Sequence, residues 1–92
     1  MSQPLFKSKS LVWTPGARQA FFEKADSPFT YLKRHFSGDW GELDTHDKRV
    51  NDIAVTGGYR ILSAYTTKDS TRIWIITEDD RSVTTILLPS EY

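Results

Sequence analysis

Residues 57–88 read GGYRILSAYTTKDSTRIWIITEDDRSVTTILL, and the change of period at Gly57-Gly58 decides the fold class. Beyond that pair, the runs 59–65, 72–77 and 82–88 are rich in β-branched and aromatic residues. They are separated by Lys68-Asp69-Ser70 and Glu78-Asp79-Asp80. Connections this short join antiparallel neighbours, so the runs predict a three-stranded antiparallel meander. In the middle run Ile73 and Ile75 face one way while Trp74 and Ile76 face the other, and both sets are apolar. That run is therefore expected at the centre of the sheet. If helices cover one of its faces, the other is left to the N-terminal segment, a partner or solvent.

Upstream of Gly57 the apolar spacing is helical. Thr14-Pro15 is a helix-start signature, because a threonine oxygen accepts an orphan N–H and proline has none to lose. A helix over about 15–24 follows, with Ala17, Ala20, Phe21 and Lys24 on one side. Ser27-Pro28 repeats the signal and opens a second helix, in which Phe29, Leu32 and Phe36 form an apolar stripe. Lys33, Arg34 and His35 crowd its last turns, where positive charge complements the macrodipole, and Gly38 ends it. Asp44 has N-cap chemistry with Asp47 three residues later, so a third helix starts there. Its buried side is assigned to Val50, Ile53 and Ala54, and Gly57-Gly58 stops it. Leu11-Val12-Trp13 has the composition of a short strand.

The chain length of 92 residues predicts a single domain, 1–92. Twelve basic and twelve acidic side chains give zero formal net charge, which argues against a DNA-mimicking polyanion or a general nucleic-acid binder. Charge is locally uneven: residues 1–24 carry four bases against Glu23. The absence of cysteine excludes thiolate zinc sites, thiol nucleophiles and Fe–S clusters. With no apolar leader or membrane span, a cytoplasmic location is expected.

The stretch SGDWGELDTHD at 37–47 gathers Asp39, Glu42, Asp44, His46 and Asp47. Such residues could ligate a divalent ion, but the spacing is not that of a calcium-binding loop. Two of the acids already serve a helix start, and the structural reading is favoured. Trp40 between Gly38 and Gly41 either plugs the corner between two helices or anchors a partner, and the plug is favoured. His35 and His46 have no recognised metal spacing, and His35 is read as charge at a helix end. Arg60 and Arg72 with Tyr59, Tyr65 and Trp74 could form a basic, aromatic platform for single-stranded nucleic acid. Core filling and edge protection are favoured for them. The acidic turn 78–82 reads as a solvated hairpin loop.

The segments WTPGA at 13–17, SGDWG at 37–41, RILSAY at 60–65 and WIITEDDRSVTTILLPSEY at 74–92 resemble a family of small bacterial proteins. Its members are labelled plasmid-related protein or type I restriction endonuclease subunit M, and the resemblance covers nearly the whole chain. The last third is also similar to the end of another small family found in phage and mobile elements. These resemblances imply association with plasmids, phages or integrated elements and assign no catalytic residue. Neither G-x-G-x-x-G nor an N-P-P-Y/F motif occurs, so the methyltransferase label carries no cofactor site with it.

The expectation is an α+β domain with two to three N-terminal helices packed on a C-terminal three-stranded antiparallel meander, with 11–13 as a short N-terminal strand. Its expected role is that of a non-enzymatic protein-interaction or regulatory module of a mobile genetic element. A narrower form is an anti-defence inhibitor of a restriction or CRISPR complex. The alternative, an RNA- or DNA-binding or small ribonuclease toxin-like protein, rests on the basic N-terminal region and the two histidines. No catalytic, cofactor-binding or metal residue is assigned. The candidate interaction residues are Asp39, Trp40, Arg72, Trp74 and Arg81. The expected partner is a protein, with nucleic acid less favoured, no membrane, and a homodimer through the sheet as a further option.

Overall fold

A computed structural model describes residues 3–22 and 24–92. The chain runs β1 (Ser10–Trp13), α1 (Pro15–Phe21), α2 (Pro28–Phe36), α3 (Thr45–Gly57), β2 (Ile61–Thr66), β3 (Arg72–Thr77), β4 (Val83–Leu87) and a closing 3-10 turn, Pro89–Glu91. The architecture is α+β, with three helices and a four-stranded mixed sheet of order β1-β4-β3-β2. β2, β3 and β4 form the expected antiparallel meander. The sheet nevertheless has a fourth strand, because β1 pairs parallel to β4 and takes the edge. A parallel partner must come from a distant part of the chain, and here the first strand meets the last.

Each helix begins where its cap chemistry placed it. Thr14 Oγ1 accepts the Ala17 N–H, Ser27 Oγ accepts the Phe29 N–H, and Asp44 Oδ1 accepts the Asp47 N–H at 2.8 Å. Gly38 and Gly58 both take the left-handed conformation beyond a helix end. α1 closes at Phe21, short of the expected residue 24, with Phe22 already extended. Glu23, inside that expected range, lies outside the described residues. Tertiary anchoring overrides helix propensity after Phe22. Asp26 accepts hydrogen bonds from the Tyr31 hydroxyl, the Ser27 N–H and the Lys68 N–H, which fixes the turn into α2 against the β2–β3 hairpin.

Register puts Ile61, Ser63, Tyr65, Ile73, Ile75, Thr77, Thr84 and Ile86 on one sheet face. That face meets the buried side chains of the helices. Ala17, Phe21, Tyr31 and Leu32 pack on its middle, while Phe6, Trp40 and Ala54 gather around Ile61. Each fully buried isoleucine contributes about 1.5–3 kcal/mol. The opposite face carries Leu62, Ala64, Trp74, Ile76, Thr85 and Leu87. Near the chain end, Tyr92 sets its ring edge to face with Trp74 at 5.6 Å, and Arg60 lies 5.4 Å from the Tyr92 ring centre.

Two helix faces differ from the sequence reading. Val50 and Ile53 of α3 are 47% and 64% exposed, and the buried positions are Asn51 and Ala54. Asn51 wins its place by pairing with the edge of β2. Its Nδ2–H donates to the Leu62 carbonyl at 2.7 Å, and its Oδ1 accepts the Leu62 N–H at 3.3 Å. In α2 the buried residues are Tyr31, Leu32 and His35, which leaves Phe29 exposed at the start of the expected stripe.

Among the described residues, no helix is long and apolar enough to cross a membrane.

Candidate functional site

The side chains of Leu11 and Trp13 share a face with Ile86, against which α2 packs, so β1 and α2 form the two walls of a groove. The extended segment before β1 builds its floor and far end. The Leu5 N–H donates to the Phe36 carbonyl at 2.8 Å, and Phe6 packs against His35, Phe36 and Trp40 with ring centres 5.2–6.3 Å apart. The main groove encloses about 600 Å³ between Pro4–Ser8, Leu11 and the outer side of α2, and a smaller hollow of about 180 Å³ lies beside Trp13 and Pro28. Leu11, Val12, Trp13 and Phe29, which line the groove or the hollow, are 44–63% exposed. Lys7, Lys33 and Arg34 line it, and no acidic side chain of the described residues does so.

The five residues selected from sequence do not assemble into one site. Trp40 is 3% exposed and packs with Phe6, Ala54 and Ile61, while its indole N–H donates to Asp52 Oδ1 at 2.9 Å. It plugs the corner between α2 and α3, as favoured, and its ring is withdrawn from partners. Asp39 is held by Arg34, whose Nε donates to Oδ2 at 2.7 Å. This pairing keeps the Asp39 carboxyl below its ordinary range, and the same guanidinium lies 4.6 Å from the Tyr65 ring centre. Arg72 pairs with Glu42 at 3.3 Å, and Trp74 sits half-buried on the outer sheet face.

Arg81 is a structural joint. Its Nη2 donates to the Ala54 carbonyl and its Nη1 to the Tyr59 carbonyl, each at 2.7 Å. The β3–β4 turn is thereby tied to the end of α3 and the segment just after it, and it places a cation 5.5 Å from the Phe6 ring centre. The proposed nucleic-acid platform is also divided, because Tyr65 is fully buried on the helix side while Trp74 lies on the other face.

His35 corrects the reading of a charge at a helix end. It is fully buried, with Nδ1 2.6 Å from Ser63 Oγ and Nε2 2.8 Å from Thr77 Oγ1. Thr77 continues to Thr84 at 2.7 Å, and Thr84 to Ser8 at 2.8 Å. Proton order along this chain is determined at its outer end. The Ser8 hydroxyl donates to the Ser10 carbonyl, so Thr84 must donate to Ser8 and Thr77 to Thr84. Thr77 then has only an acceptor left for His35, which carries its proton on Nε2 and accepts from Ser63 at Nδ1. Burial first, and the Arg81 charge second, lower the imidazole pKa to about 3. A neutral, sealed imidazole joins β2 and β3 to α2, and the Thr77 hydroxyl carries the link on to β4. His46, by contrast, is exposed on α3, so the two histidines do not form a pair of like environment.

The acids of 39–47 are spread over different tasks: Asp39 on Arg34, Glu42 on Arg72, and Asp44 as the α3 cap. Among the described residues, no three His, Asp or Glu side chains converge as metal ligands. The groove itself was only partly visible in sequence. Leu11-Val12-Trp13 is an apolar triplet without polar alternation, a signal for an unusual strand, but nothing local places Phe29 across from it.

No protein-family model, curated protein or solved structure matches this chain.

Proposed function

We propose that this protein is a non-enzymatic interaction module that docks a protein partner along the groove between β1 and α2. The observation that carries the reading is the clustering of Leu11, Val12, Trp13 and Phe29, all substantially exposed, around the groove and the adjoining hollow. Large apolar side chains gathered in one patch mark interaction surfaces, whereas isolated ones do not. The resemblance to plasmid- and phage-borne proteins supports a mobile-element setting, with a host restriction or CRISPR complex as the partner to be blocked.

A photo-crosslinking residue at Phe29 tests the docking surface, with Thr56 on the exposed side of α3 as the control. A discrete protein adduct from position 29 and none from position 56 is expected. Equal labelling at both positions, or none at either, counts against the groove. Phage plating on restriction- and CRISPR-defended hosts, with and without the gene, tests the narrower reading, which equal plating would remove.

The cluster of Arg60, Tyr92 and Trp74 on the outer face favours a second reading, single-stranded nucleic-acid binding. Binding to a homopolymeric RNA that weakens steeply with added salt is its expected signature, and undetectable binding at low salt excludes it.

A further inference from the structure

The groove has an open strand as one wall, and the two edges of the sheet are treated differently. At the β2 edge the chain covers itself. The Ala64 N–H donates to the Trp40 carbonyl at 3.2 Å, the Glu42 N–H donates to the Ala64 carbonyl at 2.7 Å, and Asn51 occupies both backbone groups of Leu62. At the β1 edge, from Ser10 onward, the hydrogen bonds toward β4 come from alternate residues. The Ser10 N–H reaches the Ser82 carbonyl at 3.1 Å and the Thr14 N–H reaches the Ile86 carbonyl at 3.0 Å. In a parallel pair this alternation turns the backbone groups of Leu11 and Trp13 to the open side. Natural edges are blunted by shortness, charge, proline or a bulge; Ser10–Trp13 is only four residues long, but it reads SLVW and carries no charge, proline or bulge.

We propose that β1 is a strand-addition site, taking an extended segment of a partner protein that alternates apolar and other residues and carries carboxylates. This rests on the reading of the groove as a protein-docking surface and names how the partner is held. An added strand would pair its backbone with Leu11 and Trp13 and turn every second side chain into the groove beneath Phe29. The carboxylates follow from charge: Lys7 and Lys33 stand on the rim, where no acidic side chain of the described residues lines the groove, while Arg34 is already paired with Asp39. A second copy of this chain fits less well. Segment 3–18 contains Lys7, Lys9 and Arg18 and no acid, so two edges brought together would set bases against bases.

The test is selection of decapeptides from a random phage-displayed library on the intact protein, followed by amide mapping of the bound lead. Selected peptides are expected to alternate apolar residues and to be acidic, and to shift the Leu11 and Trp13 amide resonances most. N-methylation of the lead at alternate positions should reduce affinity by about tenfold or more in one register and leave the other unchanged, since only one set of N–H groups faces β1. A library that yields no binder, a basic or patternless consensus, shifts centred elsewhere, or equal tolerance of both methylation registers overturns the proposal. So does concentration-dependent dimerisation that shifts the same two amides, which would give the edge to a second copy. If the Phe29 crosslink persists while strand addition fails, docking through side chains stands and only the mode is wrong. If the crosslink is lost too, the docking surface itself falls.

Discussion

His35 donates its Nε2–H to Thr77 Oγ1 across 2.8 Å, joining the last turn of α2 to the central strand through groups that water does not reach. The partners on either side leave the ring no second proton to place. Its pKa falls on folding from the ordinary 6.5 to about 3. Between those values the unfolded chain binds a proton that the native state does not, so stability rises with pH through this window. The contribution is complete above about pH 6.5 and is lost as pH falls toward 3. From pH 7 to 5 the loss should be about 2 kcal/mol, above the range where carboxylates titrate. Urea midpoints at the two pH values measure it, and the His35 Cε1–H resonance should stay constant down to pH 5. A titration midpoint near 6.5 for that resonance would contradict the sealed network.

Thr77→Val keeps the shape of the side chain and removes both its hydrogen bonds. The His35 Nε2–H then has no acceptor in a buried site, a cost of about 1–3 kcal/mol. Denaturant unfolding of the variant at pH 7 checks this. A loss below about 0.5 kcal/mol would mean that water or a ring flip replaces the partner.

Gly41 and Gly58 share a left-handed φ of +76° but differ in their surroundings. A Cβ on Gly41 would stand 2.0 Å from the Ala64 carbonyl oxygen, whereas nothing lies within 4 Å of one on Gly58. Gly58→Ala should cost about 1 kcal/mol, the backbone penalty alone. Gly41→Ala should cost clearly more, because the bridge that covers the β2 edge must open. Thermal unfolding of both variants gives the comparison, and equal losses would show that the bridge contributes little.

Trp40→Ala should destabilise by about 3–5 kcal/mol, since the ring is withdrawn into the core and its N–H leaves Asp52. Phe29→Glu, at an exposed position, should change stability by no more than about 0.5 kcal/mol while abolishing capture of the partner. Unfolding midpoints and capture assays on the two variants separate core from docking surface. Retained capture by a stable Phe29→Glu protein would remove Phe29 from the interface.

Arg81→Lys preserves charge and removes the planar fork that reaches Ala54 and Tyr59 together. A loss of about 1–3 kcal/mol is expected, with faster amide exchange at the C-terminal end of α3. Exchange unchanged in that turn would show that α3 is held by other contacts.

The amino-acid sequence by itself determined where the three helices begin and where α2 and α3 end, because caps and turns act over a few residues. Thr14-Pro15, Ser27-Pro28, Asp44 with Asp47, and the glycines after α2 and α3 each close their hydrogen bonds locally. The alternating runs likewise carried the β2–β3–β4 meander, whose strands are joined by short turns. Tertiary structure alone decided the rest. β1 joins β4 from the other end of the chain, Asn51 displaces Val50 and Ile53 from the buried side of α3, and His35 finds polar partners on two strands inside. In each case the deciding group lies far away in sequence: a hydrogen-bond partner or an apolar wall that only the folded chain brings near. Phe29 is read the same way. Its helical position was legible, but its exposure opposite Leu11 and Trp13, and hence the groove, exists only once α2 lies against the sheet.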